Sequence, residues 1–182
     1  MKTKGNLKNG IIAVGSVALL LVLDQITKLL AIRNLMGKDP FVIWKGVFEL
    51  TYLENRGAAF GMLQNRKIFF VIMTVAVLGL IVYFYSRTPL AKRYLPMRIC
   101  IIFLAAGALG NFIDRLFRGY VVDFFYFSLI DFPVFNVADI YITVTFVVLT
   151  VLILFYYKEE ELAVYSNRRQ KGEADENGRI SD

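Results

Sequence analysis

The sequence has no histidine and a single cysteine, Cys100. Without histidine there is no Ser-His-Asp or Cys-His triad, no HExxH zinc motif and no imidazole proton shuttle. One cysteine excludes an internal disulfide and a multi-cysteine metal site. Charge is scarce as well: only 20% of the residues are Asp, Glu, Lys or Arg, against 57% hydrophobic. A soluble domain carries roughly 45–50% apolar residues. Internal repeats and low-complexity segments are also missing. Any acid–base chemistry therefore falls to Asp, Glu, Lys or Tyr. The chain of 182 residues is long enough for one domain. Its net charge of +6 fits basic flanks of membrane spans better than a nucleic-acid surface, and no nucleic-acid partner is expected.

Four apolar runs approach the roughly 20 residues that a membrane-crossing helix needs. They cover about 11–32, 68–85, 99–115 and 134–157. Lys2, Lys4 and Lys8 precede the first run; Arg87, Lys92, Arg93 and Arg98 crowd the link between the second and third; Lys158, Arg168, Arg169 and Lys171 follow the fourth. Basic flanks stay inside, so both termini are expected in the cytoplasm. The segments Asn34–Arg66 and Leu116–Pro133 are then outside. No small-x-small cleavage site follows the first run, so it is expected to remain as a span. Residues 1–157 form the expected membrane domain, and 158–182 a polar cytoplasmic tail that frays after a turn or two of helix.

Polar residues interrupt the apolar runs. In the first, Asp24 and Lys28 stand at i and i+4, in the favourable order for an ion pair. Lys28 lies about 26 Å along the helix from Ile11, near the outer interface, where it could snorkel. In the third, Ala106 and Gly110 form a small-xxx-small step for close helix contact. Gly107, Asn111 and Arg115 follow one another on one face. Asn111 needs a hydrogen-bond partner there, and Arg115 a carboxylate. In the fourth, Asn136, Asp139 and Thr143 share a face. Asp139 lies about 7–8 Å below the outer edge, where a helix N-terminus also stabilises an acid.

The outer segments carry β-branched and aromatic residues at Phe41–Leu53 and Tyr120–Phe127, which suggest strands. Asp123 sits in the second of these stretches. It and Asp139 approach one boundary from either side of a short connection. Asp131, at the tip of that connection, is expected to be a solvated charge. Two carboxylates together in apolar surroundings share a proton, so that one can activate water while the other donates. A small transporter using the buried acids is an alternative, as is a non-catalytic assembly subunit. A Ser–Lys hydrolase built on Lys28 lacks a serine within reach: Ser16 is about 18 Å away along the same helix.

Five motifs carry a resemblance: "DQITK" at Asp24–Lys28, "ENRGAAF" at Glu54–Phe60, "GALGNFIDR" at Gly107–Arg115, "VVDF" at Val121–Phe124 and "FNVAD" at Phe135–Asp139. In this order they resemble the prolipoprotein signal peptidases, also called signal peptidase II. Ile140 stands where that family often has Ser, and Thr145 where Gly is common. The resemblance implies an all-α membrane protein of four transmembrane helices, with a small extracytoplasmic β-sheet (a β-cradle) and a short mobile outer helix. It implies an aspartic endopeptidase of the bacterial cytoplasmic membrane that is blocked by globomycin. Its substrates would be diacylglyceryl-modified prolipoproteins, cut before the lipidated cysteine at the outer face. Asp123 and Asp139 would be catalytic. Asp24, Lys28, Asn55, Gly57, Asn111, Arg115 and Asn136 would bind substrate or support the site. No metal or other cofactor is expected, membrane lipids are, and the enzyme would be monomeric.

Overall fold

A computed structural model describes residues 2–57 and 67–165. Four helices dominate it: α1 (Lys2–Leu35), α2 (Lys67–Arg87), α3 (Leu95–Phe117) and α4 (Val137–Val151), the last continued by a π turn over Leu152–Tyr156. Their apolar parts, Leu7–Leu35, Ile68–Arg87, Lys92–Phe117 and Val137–Tyr156, are each long and apolar enough to cross a membrane. Residues such as Ile11, Val14, Ile68, Val82, Phe146 and Phe155 point outward. In lipid this carries no cost, because a helix satisfies its own backbone polar groups.

The helix ends differ from the expected limits for local reasons. The third span starts earlier, in a 3₁₀ turn at Lys92–Tyr94, and α3 begins with proline in its first turn, where a missing N–H costs nothing. The helix of the fourth span starts later than Val134, because Asn136 is its N-cap. The Asn136 side chain accepts from the Asp139 N–H, while Asp139 reaches back to the Asn136 N–H. Close packing rests on glycines of α3. A Cβ on Gly110 would lie 2.5 Å from Asp24 Oδ2, and one on Gly107 would lie 2.7 Å from the Ala138 carbonyl oxygen. Gly110 thus brings α1 against α3, as its small-xxx-small spacing suggested.

At one end of the bundle lies a three-stranded antiparallel sheet, ordered β1 (Phe41–Trp44), β2 (Phe48–Asn55) and β3 (Val121–Tyr126). Gly46, at φ +71°, turns the β1–β2 hairpin. Leu53 pairs with Asp123 and Asn55 with Val121, with an irregularity between Leu50 and Leu53. Val122 and Phe124 are buried against Ala31, with Ile32, Leu35 and Val137 packed around them. This small core locks the sheet onto the end of α1 and the start of α4. The expected outer helix, and "ENRGAAF" beyond Gly57, lie outside the described residues.

At the opposite end a second cluster joins Met97, Ile101 and Tyr157, with Tyr85, Tyr94 and Tyr165 around it. The start of the 158–182 segment lies here. A short helix, α5 (Glu159–Leu162), packs back. Arg93 Nε donates to Glu161 Oε1 at 2.8 Å, and the Arg93 guanidinium lies 3.7 Å from the Tyr156 ring centroid.

Candidate active site

A cavity of about 1000 Å³ opens where the sheet meets α3 and α4. Asn55, Gly57, Asn111, Arg115, Asp123 and Asp139 line it. Each comes from a different strand or helix, or from a different place along one. Asp123 is on β3, because Asp123 follows the buried pair Val121 and Val122 in a strand whose neighbours sit on the core. Asp139 occupies the third position of α4 through the capping box.

Both carboxylates are held by amides. Asn55 Nδ2 donates to Asp123 Oδ2 at 2.8 Å, and Asn136 Nδ2 donates to Asp123 Oδ1 at 2.6 Å. Asn111 Nδ2 donates to Asp139 Oδ1 at 2.8 Å, and the Asn136 backbone N–H to Asp139 Oδ2 at 3.1 Å. Asn136 thus touches both acids. Burial, with the Asp139 charge next in weight, pushes the Asp123 carboxyl up to about 7; the Asn55 and Asn136 hydrogen bonds pull the other way. A carboxyl in that range exchanges its proton near neutral pH, which suits acid–base work.

Beneath this layer lies an ionic cluster. Lys28 Nζ is 3.0 Å from each of Asp24 Oδ2, Asp114 Oδ2 and Asn111 Oδ1. Lys28, Asp24 and Asp114 are fully buried. Asp24 Oδ1 accepts from the Ala138 N–H at 3.0 Å, and Asp114 Oδ2 from the Val122 N–H at 3.1 Å. Arg118 pairs with Asp114, and Gln25 bridges to Asp24 and to the Gly110 carbonyl. Buried charges persist only when paired and hydrogen-bonded, and here they are.

The profile described as Signal peptidase (SPase) II matches residues 16–155. The chain belongs to the signal peptidase II family. A protein named lipoprotein signal peptidase from Streptococcus thermophilus (strain CNRZ 1066) is 45% identical over 141 residues, 78% of this chain and 89% of its own. Another of that name, from Caldanaerobacter subterraneus subsp. tengcongensis, is 44% identical over 144 residues, 79% of this chain and 96% of its own. Two solved structures are also similar. One is of a bacterial membrane enzyme determined by the in meso method at 2.3 Å, with 34% identity and a TM-score of 0.68; it covers 81% of this chain and 92% of that one. The second, at 1.9 Å, has 33% identity and a TM-score of 0.69, covering 80% and 94%. Family membership and four apolar helices make this a multi-pass membrane protein and a peptidase.

Within this signal peptidase II chain, two expectations need correction. Lys28 does not snorkel: it is fully buried, because three acceptors surround its ammonium. Arg115 forms no ion pair among the described residues. It donates to the backbone oxygens of Gly57 at 3.2 Å and Asn111 at 3.5 Å, and its guanidinium lies 4.6 Å from the Phe70 ring centroid. The pair expected for Arg115 is formed by its neighbours Arg118 and Asp114. Asp131 is exposed at φ +49° and accepts from the Tyr126 hydroxyl at 2.8 Å, on the cavity's rim. Sequence reasoning missed Asp114 and Arg118, whereas Gln25 stood out with Asp24 and Lys28 as a polar group of the first run. The signal was present: Asp114 and Arg118 are an i, i+4 pair at the end of an apolar run.

Proposed function

We propose that the chain is an aspartic endopeptidase that removes signal peptides from diacylglyceryl-modified bacterial prolipoproteins. Cleavage falls just before the lipidated cysteine. The names of the relatives support the substrate class, and they are lipoprotein signal peptidases. The observation that carries the mechanism is a pair of amide-held carboxylates, Asp123 and Asp139, on one cavity in a chain without histidine.

The substrate's diacylglycerol stays in the bilayer while the small residues before its cysteine extend past Asn55 and Gly57. A backbone can approach closely there because Gly57 has no side chain. One of the two aspartates takes a proton from water as the oxygen attacks the scissile carbonyl carbon. The other, protonated, donates to the carbonyl oxygen. The tetrahedral intermediate then collapses: the aspartate that took the water proton passes it to the cysteine nitrogen, the C–N bond breaks and the amine leaves, while the other aspartate takes back a hydroxyl proton as the C=O re-forms. The products are a free signal-peptide carboxylate and a new N-terminal amine. Arg115 and Asn111 hold charge and geometry beside the reacting atoms. Residues 1–157 carry this activity in the cytoplasmic membrane, as a monomer. Both termini and the 158–182 tail lie inside, and the cavity lies at the outer face, since the basic flanks gather at the end opposite the sheet.

The test is cleavage of a diacylglyceryl-modified prolipoprotein by purified protein in lipid. Asp123→Asn and Asp139→Asn, each folded, are expected to lose cleavage by about 10³-fold or more. Asp39→Asn, on the exposed α1–β1 connection, keeps it. Cleavage by either of the first two at near the wild-type rate removes the dyad.

A further inference from the structure

The buried cluster under the cavity has an arrangement that packing alone does not require. Its two acids each hold the backbone N–H of the residue directly before a cavity aspartate. Asp114 holds Val122, which precedes Asp123; Asp24 holds Ala138, which precedes Asp139. The two acids come from different helices, α3 and α1. The neutral Gln25 amide spans them loosely, its Nε2 lying 3.1 Å from Asp24 Oδ2 and 3.4 Å from Asp114 Oδ1, and a single charged group joins them, the Lys28 ammonium, at 3.0 Å from each. Its third contact, also at 3.0 Å, is Asn111 Oδ1. An ammonium has three donors and no acceptor, so all three are spent. Together with Asn136 Nδ2, which donates to the same oxygen at 3.2 Å, it also decides which way the Asn111 amide faces. The oxygen must turn to Lys28, which leaves Nδ2 for Asp139 Oδ1.

We propose that Lys28 is a positioning residue that sets the separation of Asp123 and Asp139, by clamping the two carboxylates that anchor their backbones and by orienting Asn111. It touches no substrate, being fully buried. The role rests on the aspartic dyad proposed above. The clamp acts through rigid parts: each anchored N–H is one residue from its aspartate, and the anchors lie on helices locked together at Gly110. A misplacement of about 1 Å at reacting groups costs on the order of 10²-fold in rate. Lys28 also brings a positive charge to a dyad that otherwise faces Arg115 of α3. The charged groups that act on Asp123 are therefore Asp139 on α4, Lys28 on α1 and Arg115 on α3.

Lys28→Met tests the clamp in the full-length protein in lipid, with a diacylglyceryl-modified prolipoprotein and folding checked by thermal unfolding. The folded variant is expected to lose about 10-fold or more in kcat with little change in KM. The acid limb of its pH–kcat profile moves to higher pH, because a nearby positive charge is gone. A folded variant with unchanged kcat and pH profile overturns the proposal. If Lys28→Met does not fold, the double variant Asp24→Asn, Lys28→Met decides. It removes the uncompensated buried acid, and the amide oxygen introduced in place of that carboxylate can still accept from the Ala138 N–H. The clamp predicts that this variant also shows low kcat and the shifted limb. Wild-type cleavage by it means that Lys28 only neutralises Asp24, and overturns the proposal. Asp123→Asn is assayed beside them. If it cleaves, the dyad and the clamp fall together; if it is inactive while folded Lys28→Met cleaves normally, only the clamp falls.

Discussion

Asp123 has two amide donors on its oxygens and a second acid nearby, in a place that water barely reaches. Its carboxyl, raised to about 7 from an ordinary 3.8, is protonated in the folded protein over a range in which the unfolded chain has lost the proton. Between about pH 4 and pH 7 the native state holds the extra proton, so stability falls as pH rises, by at most about 1.4 kcal/mol per unit from this residue. Below the unfolded value that stabilisation is complete; above about 7 it is lost. Thermal unfolding of the purified protein between pH 4.5 and 8 should show the decline, and Asp123→Asn should flatten it whatever its absolute midpoint. An unchanged slope would mean that Asp123 ionises normally. Residue roles of this kind were half legible in the sequence. Asp24, Asn111, Asp123, Asn136 and Asp139 were conspicuous as polar groups in apolar runs. Asp114 was not, because the adjacent Arg115 already accounted for the local polarity.

α3 does two jobs as an element. Gly107 and Gly110 let other elements come close, and one turn further along the same faces Asn111, Asp114 and Arg115 supply the polar groups. Gly110→Ala would place a methyl group 2.5 Å from Asp24 Oδ2, an atom fixed by Lys28 and so unable to give way cheaply. The expected cost is about 1–3 kcal/mol, read as a lower unfolding midpoint. Gly79→Ala on α2 meets nothing within 4 Å and should leave the midpoint unchanged or slightly higher. If both substitutions behave alike, the α1–α3 contact is not as tight as described. The positions of the four helices were readable because an apolar run of that length has few alternatives. Their limits were not, because caps such as the Asn136–Asp139 box and the early 3₁₀ turn at Lys92 are set by a few local hydrogen bonds.

The molecule as a whole has two unlike ends. One bears the sheet and the cavity; the other bears the aromatic cluster around Tyr157 and the basic link at Arg87–Arg98. Lys38 is exposed at the first end and Lys92 at the second, and the native Cys100 is buried. With the orientation proposed, a cysteine replacing Lys38 reacts with an impermeant thiol reagent added to intact cells stripped of outer barriers. One replacing Lys92 reacts only after the membrane is opened. The reverse pattern would put the cavity on the cytoplasmic side.

Sequence alone determined the number of spans, the presence of strands between them and the family resemblance, and it singled out Asp123 and Asp139 as candidates for chemistry. These follow from composition, apolar run length and short motifs, which are local properties of the chain. Tertiary structure alone decided that Lys28 is buried rather than snorkelling, that Arg115 binds backbone oxygens, and that Asp114 belongs with Asp24. Those outcomes depend on which groups from distant segments arrive at one place. An ammonium with three acceptors at 3.0 Å has no reason to reach for the interface, and no spacing along α1 reveals that two of those acceptors come from α3.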